Sequence, residues 1–60
     1  MKNSKKNIAA NLRYLRNRLG LSQEEVAEQI GVSRQSVAKW ENGDSLPDIL
    51  KCEALADLYN

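Results

Sequence analysis

The sequence predicts an all-α domain of four short helices. Three observations carry that prediction. Apolar residues recur at spacings of three and four within each of four segments, as one face of a helix requires. Start and stop residues flank these segments: Ser22, Ser33 and Asp48 stand at starts, and Gly20, Gly31 and Asn42-Gly43 stand at ends. No segment alternates with the two-residue period of a half-buried strand.

The first helix reads as "KKNIAANLRYLRNRLG", with Ile8, Leu12, Leu15 and Leu19 on one face and Gly20 closing it. Ser4 or Asn7 could cap its start. The second reads as "SQEEVAEQIG". Ser22 is its N-cap, and Glu25 three residues on completes a capping box. Glu24 and Glu25 also complement the positive end of the helix dipole. Val26, Ala27 and Ile30 form its inward stripe, and Gly31 stops it. The third reads as "SRQSVAKWEN", residues 33–42, with Ser33 as N-cap candidate and Val37 and Trp40 as a narrow apolar face. The fourth reads as "DILKCEALADLY". Pro47 is tolerated at its entrance, Asp48 can cap it, and Ile49, Cys52, Leu55, Ala56 and Tyr59 give it an apolar side.

Length and composition narrow the function classes. Sixty residues make at most one domain, near the lower limit for folding alone. One cysteine and no histidine exclude a disulfide staple and a Cys/His zinc site, so no metal or cofactor is expected. Stability must come from helix packing, a partner subunit or a longer parent chain. Cys52 reads as a small half-buried hydrophobe, because no histidine is present to activate it. With no histidine, no paired carboxylates in an evident cleft and no phosphate-cradling glycine loop, no catalysis is implied.

The charge is unevenly spread. Lys2, Lys5, Lys6, Arg13, Arg16 and Arg18 lie in the first segment, which has no acid. From Leu19 onward only Arg34, Lys39 and Lys51 are basic, against eight acids. A basic first segment suits an anionic partner, and equally a solubilising tail. Residues 1–7 read as a basic arm that need not be ordered, and 8–60 as the domain. No apolar run approaches the ~18 residues of a membrane span. The start "MKNSKKN" lacks the apolar stretch of a secretory signal, so a cytoplasmic location is expected.

The joints are the most informative feature. Gly31-Val32 alone separates the second helix from the third, and two helices joined by so short a glycine-containing turn make a helix-turn-helix, here residues 22–42. The steep crossing needs a small residue where the helices meet, which Ala27 supplies, while Val32 plugs the corner. With Arg34 at zero and ~100° per residue, Val37 and Trp40 point near ~270°. Gln35, Ala38 and Lys39 then fall on the opposite half, Arg34 on its shoulder, and Glu41 near ~340° at the edge of the buried face. The outward face therefore carries Arg34, Gln35 and Lys39 and no acid. These residue types hydrogen-bond base edges in a DNA major groove; they also cover ordinary solvated helices.

The string "LRYLRNRLGLSQEEVAEQIGVSRQSVAKWENGDSLPD" resembles the Cro-like, phage-repressor (XRE) helix-turn-helix family over about residues 8–59. The resemblance rests on the arginine in "LRYLRN", on "LGLSQEEVA", on the spacing of Ala27, Gly31, Val37 and Trp40, on "WENG", and on Pro47. It implies DNA-binding transcriptional regulators whose third helix enters the major groove. Arg16 and Glu41 match a pair bridging the first helix to the end of the third. Ser22 and Gln23 match a phosphate-holding helix start, with Gln23 alternatively a solvated residue. Arg34, Gln35 and Lys39 match base-contacting positions. Ser33 and Ser36 match contacts to a phosphate or a thymine methyl, although Ser33 also has its use as a cap. Asn42 matches a backbone contact. Arg13 either faces the same strand or is solvated. Trp40 reads as core and Tyr14 as surface.

The resemblance implies an all-α, compact bundle that binds double-stranded DNA as a homodimer on a pseudo-palindrome. Members continue after the fourth helix with a "GVS"-type turn and a fifth helix that completes the core and helps dimerise. This sequence stops at "DLYN", so it is expected to be a piece of a longer regulator or a member lacking that helix, with Leu50, Leu58 and Tyr59 left exposed. Three other readings stay open at this point. They are an antitoxin whose main partner is a toxin protein, the DNA-targeting module of a larger regulator or enzyme, and a helical protein-interaction module that does not touch DNA.

Overall fold

The computed structural model describes residues 4–60 and contains four helices: α1 (Ser4–Arg18), α2 (Gln23–Ile30), α3 (Arg34–Asn42) and α4 (Ile49–Tyr59). Among the described residues there is no strand, and no helix is long and apolar enough to cross a membrane.

The ends of α2 and α3 follow from local chemistry. The Glu25 N–H donates to Ser22 Oγ at 3.0 Å, and the Ser22 N–H donates to Glu25 Oε1 at 2.8 Å, which closes the capping box. Gly31 turns the chain out of α2 at φ +82°, a left-handed conformation that costs a residue with a Cβ about 1–2 kcal/mol. The N–H groups of Gly31 and Val32 both reach back to the Ala27 carbonyl, at 2.8 and 3.0 Å, so the turn satisfies its own backbone. Ser33 then caps α3 by accepting from the Ser36 N–H at 3.2 Å. At the far end Gly43, φ +80°, passes close to α1: a Cβ added there would lie 3.9 Å from the Ala9 Cβ. Asp48 caps α4 by accepting from the Lys51 N–H at 2.9 Å, just after the buried Pro47.

The core is a single cluster of Val26 and Ala27 from α2, Val37 and Trp40 from α3, and Leu55 from α4. Leu12, Leu21, Ile30, Val32, Leu58 and Tyr59 pack around it. Helix α3 packs on both α1 and α2, while α4 packs on α2. Helix α3 is thereby held along its inner face, with its outer face exposed.

The structure departs from the sequence expectations in several places. Helix α1 begins at Ser4, one residue ahead of the segment expected from the sequence, and runs through residues 4–7. Ser4 and Asn7 both lie inside the helix, and neither stands before it as a cap would. Residues 1–3 of the expected arm lie outside the described residues. Ala9 of α1 is buried, because the end of α3 passes over it, whereas Ile8 and Leu19 of the expected stripe are exposed. Helix α4 does not close against α1, and an apolar groove lined by Ile8, Leu12, Leu15, Cys52, Ala56 and Tyr59 remains between them. Ile49, Cys52 and Ala56 are accordingly exposed rather than on a buried side. Cys52 is not half-buried; its Sγ donates weakly to the Pro47 carbonyl at 3.5 Å. Leu58, expected outside, packs against the core, as does Tyr59 of the expected apolar side, because with Leu55 they form the i, i+3, i+4 face of α4. Leu50 is exposed as expected.

Candidate nucleic-acid interface

The site is organised around one buried carboxylate. Glu41 lies on the last turn of α3, and its side chain is 1% exposed. A carboxylate in such a place needs a counter-charge and hydrogen bonds to all its oxygens. Arg16 of α1 supplies both, in bidentate fashion: Nε donates to Glu41 Oε2 at 2.7 Å, and Nη2 donates to Oε1 at 3.0 Å. Nη1 of the same guanidinium donates to the Leu21 carbonyl at 2.8 Å, tying the α1–α2 linker to the pair. Gln23, the first residue of α2, completes the set, its Nε2 donating to Glu41 Oε1 at 3.1 Å. No buried side-chain polar atom among the described residues is left without a partner. The hydrogen bond to Glu41 raises the Arg16 pKa, against burial, with smaller support from the charges of Glu41 and Tyr59. Burial first, and then the Glu41 charge, raises the Tyr59 hydroxyl, while Arg16 lowers it.

Arg13 lies one helical turn from Arg16, and it is not simply solvated. Its Nη2 donates to the Glu41 main-chain carbonyl at 3.0 Å and to Asn42 Oδ1 at 3.2 Å. A cation on the last carbonyls of α3 is favoured by the helix dipole. Its Nε stands 3.9 Å from Glu41 Oε1, with the side chain about half exposed, so this second ion pair is weak.

The outer face of α3 carries Arg34, Gln35 and Lys39, all exposed, with half-buried Ala38 between them and no acid on the face. Val37, Trp40 and Glu41 occupy the opposite, buried side. Trp40 is 7% exposed and belongs to the core, while Tyr14 is 62% exposed on the surface. Ser33 and Ser36 sit at the start of α3 with their hydroxyls 3.2 Å apart. At the start of α2, the Ser22 and Glu25 N–H groups are taken by the capping box. Those of Gln23 and Glu24 are the first-turn donors that a helix leaves without internal partners.

One arrangement escaped sequence reasoning. Arg34 Nη1 donates to Gln23 Oε1 at 3.2 Å, so Gln23 stands between the exposed arginine and the buried Glu41. Three residues widely separated in sequence meet there, and no spacing rule along the chain links them. The structure thus gathers Arg13, Arg16, Gln23, Arg34, Glu41 and Asn42 around the two ends of the helix-turn-helix. Gln35 and Lys39 stay on the open face, outside these bonds.

Comparison with known proteins agrees with this architecture. Residues 12–60 match the family described as Helix-turn-helix. The chain is 49% identical over 39 residues, 65% of its length, to YgzD, an uncharacterized HTH-type transcriptional regulator of Bacillus subtilis (strain 168). It is 46% identical over 43 residues, 68% of its length, to the HTH-type transcriptional activator BcrR of Enterococcus faecalis. A third relative, an uncharacterized HTH-type transcriptional regulator of Methanothermobacter thermautotrophicus, is 40% identical over 45 residues, 75% of this chain. The matched segments span 59%, 21% and 65% of those three relatives.

Proposed function

The chain belongs to the Cro-like (XRE) helix-turn-helix family, and from that premise we propose that it is the sequence-specific DNA-binding domain of a transcriptional regulator. The observation that carries this reading is the free face of α3. It presents Arg34, Gln35 and Lys39 outward, on a helix whose other side is fixed by Val37, Trp40 and the Arg16–Glu41 pair.

In this reading α3 enters the major groove. Arg34 can bond O6 and N7 of guanine, and Gln35 can bond N6 and N7 of adenine. Lys39 supplies a mobile cation one turn along. The start of α2 meets a phosphate through the Gln23 and Glu24 N–H groups and the second hydrogen of the Gln23 amide. Ser36 and Asn42 extend backbone contact on either side, as does Arg13 through guanidinium hydrogens beyond those given to α3. Ser33 contributes its hydroxyl only as far as capping allows. Two copies on a pseudo-palindrome would place their α3 helices about one helical turn apart, ~34 Å or ~10 bp.

Selection from a random double-stranded DNA pool tests this reading. The expected result is an enriched site with two half-sites at that spacing, and an affinity that falls steeply with salt. A pool with no enriched sequence would overturn sequence-specific binding.

A further inference from the structure

We propose that α1 and the end of α3 form a second phosphate-binding groove, in which Lys6, Arg13 and Asn42 hold one backbone phosphate of the DNA that α3 reads. The inference rests on the reading of α3 given above. It adds Lys6 to the residues that meet DNA, at a place separate from the start of α2.

The groove runs between the first half of α1 and the last turn of α3. Lys6, Ala9, Ala10 and Arg13 line one side, and Glu41 and Asn42 line the other. Lys6 and Arg13 stand seven residues apart, close to two full helical turns, so both project from one side of α1. Between them the wall is Ala9 and Ala10, whose small side chains let a strand come close. Gly43 brings the two helices together. With no side chain of its own, it lets the Lys6 stem pass over the end of α3, the Lys6 Cγ lying 3.7 Å from where a Cβ would stand.

The charges and donors of the groove suit an anion. Glu41 is the one acid that lines it among the described residues, and Arg16 and Gln23 already hold that carboxylate by three hydrogen bonds. Arg13 reaches it only at 3.9 Å, so the charges of Lys6 and Arg13 stay largely uncompensated. The C-terminus of a helix ordinarily repels an anion. Here Arg13 Nη2 donates to the Glu41 carbonyl at 3.0 Å, which masks that end of α3. The Asn42 amide oxygen faces Arg13 at 3.2 Å, because a guanidinium donates and cannot accept; the Asn42 Nδ2 keeps its two hydrogens for another acceptor. One phosphate can therefore meet the Asn42 amide, the Arg13 guanidinium and the Lys6 ammonium together. Asn42 is the last residue of α3, so that phosphate belongs to a strand bordering the groove that α3 enters. Such a contact positions the helix and carries no base preference.

The test measures wild type, Lys6→Gln, Lys6→Arg and Lys5→Gln on the site enriched from the random pool and on scrambled DNA, over a range of salt. Glutamine matches lysine in helix propensity, and both lysines are exposed, so none of these changes touches the core. Lys5 is the neighbouring residue of α1 but does not line the groove, and it controls for diffuse charge. Lys6→Gln is expected to weaken both DNAs by one factor, about three- to tenfold, and to lower the salt slope by ~0.9 for each bound copy. Its enriched sequence should be that of wild type. Lys6→Arg and Lys5→Gln should stay within about twofold of wild type. Uncharged methylphosphonates placed one at a time along the enriched site then locate the contact. One position in each half-site should weaken wild type clearly more than Lys6→Gln, as two partners of one contact must. An unchanged salt slope in Lys6→Gln, or equal losses in Lys6→Gln and Lys5→Gln, overturns the inference while the DNA-binding reading stands. A scan in which every position affects the two proteins alike does the same. A wild-type pool with no enriched sequence overturns the reading and the inference together.

Discussion

Replacing Arg16 with methionine removes the charge facing Glu41 while keeping an apolar stem of similar length. What remains around the carboxylate sets the cost. Gln23 Nε2 still donates at 3.1 Å, and the half-exposed Arg13 has its Nε at 3.9 Å. Both charge-assisted bonds from Arg16 disappear, and the side chain stays shielded from water at 1% exposure. Stranding one member of a buried pair costs ~3–5 kcal/mol, and partial compensation by Arg13 places this case near the lower end, about 3 kcal/mol. A domain of 60 residues is expected to have only about 3–9 kcal/mol of total stability. The midpoint of thermal unfolding should then fall by roughly 12–24 °C, followed by circular dichroism. The double variant Arg16→Met/Glu41→Leu removes the charge that would be stranded. It should return to within about 1 kcal/mol of wild type, the remainder being the lost bond to the Leu21 carbonyl. A loss below about 1 kcal/mol in Arg16→Met would mean that the pair behaves as an exposed one. A double variant as unstable as the single would show that packing, not a stranded charge, sets the cost. Either result refutes the reasoning.

Other perturbations separate fold from recognition. Arg34→Ala and Gln35→Ala should each cost ~1–3 kcal/mol on the selected site and relax one base preference, with thermal stability unchanged; unaltered binding of site and scrambled DNA alike would remove α3 as the reading element. Gly43→Ala should lose about 1–2 kcal/mol by chemical denaturation, from the φ of +80° alone, since its added Cβ would make only ordinary contacts at 3.7–3.9 Å; a much larger loss would point to a clash with Lys6 or Ala9. The Tyr59 hydroxyl is held above its ordinary value of 10.0, so the folded state keeps that proton more tightly than the unfolded chain. Its contribution is intact below pH 10.0 and is lost as pH rises through the higher folded value. Stability in urea should accordingly decline less steeply above that pH in Tyr59→Phe than in wild type; identical slopes would rule Tyr59 out as the titrating group.

The parts of this molecule that sequence made legible are those governed by chemistry within a few residues. Ser22 with Glu25, Ser33, Asp48, Gly31 and Gly43 each act on backbone groups nearby, so α2, α3, the start of α4 and the tight turn could be read directly. The start of α1 was legible to within one residue, but its cap was not, because the polar first turn offers both Ser4 and Asn7 and no apolar periodicity to choose between them. The burial of Ala9 depends on α3 passing over it, and alanine shows no preference strong enough to announce that. On α4 most positions are apolar or small, so the apolar side expected from the sequence was too broad; packing on the core selects Leu55, Leu58 and Tyr59. On α3 the wheel was decisive, because polar and apolar letters separate cleanly there. It placed Glu41 at an edge, and Arg16 then drew that edge inside. The bridge from Arg34 through Gln23 to Glu41 needed three dimensions, since each residue taken alone has an ordinary local explanation.

The ion pair at Glu41 also bears on how the molecule opens. Its bonds reach the end of α1, the linker carbonyl of Leu21, the first residue of α2 and the last turn of α3. None of these segments can swing away without uncovering the same carboxylate. Their slowest-exchanging amides should therefore become accessible to solvent deuterium through one shared opening rather than by separate fraying, whereas α4, which contributes no bond to that carboxylate, is free to exchange on its own schedule.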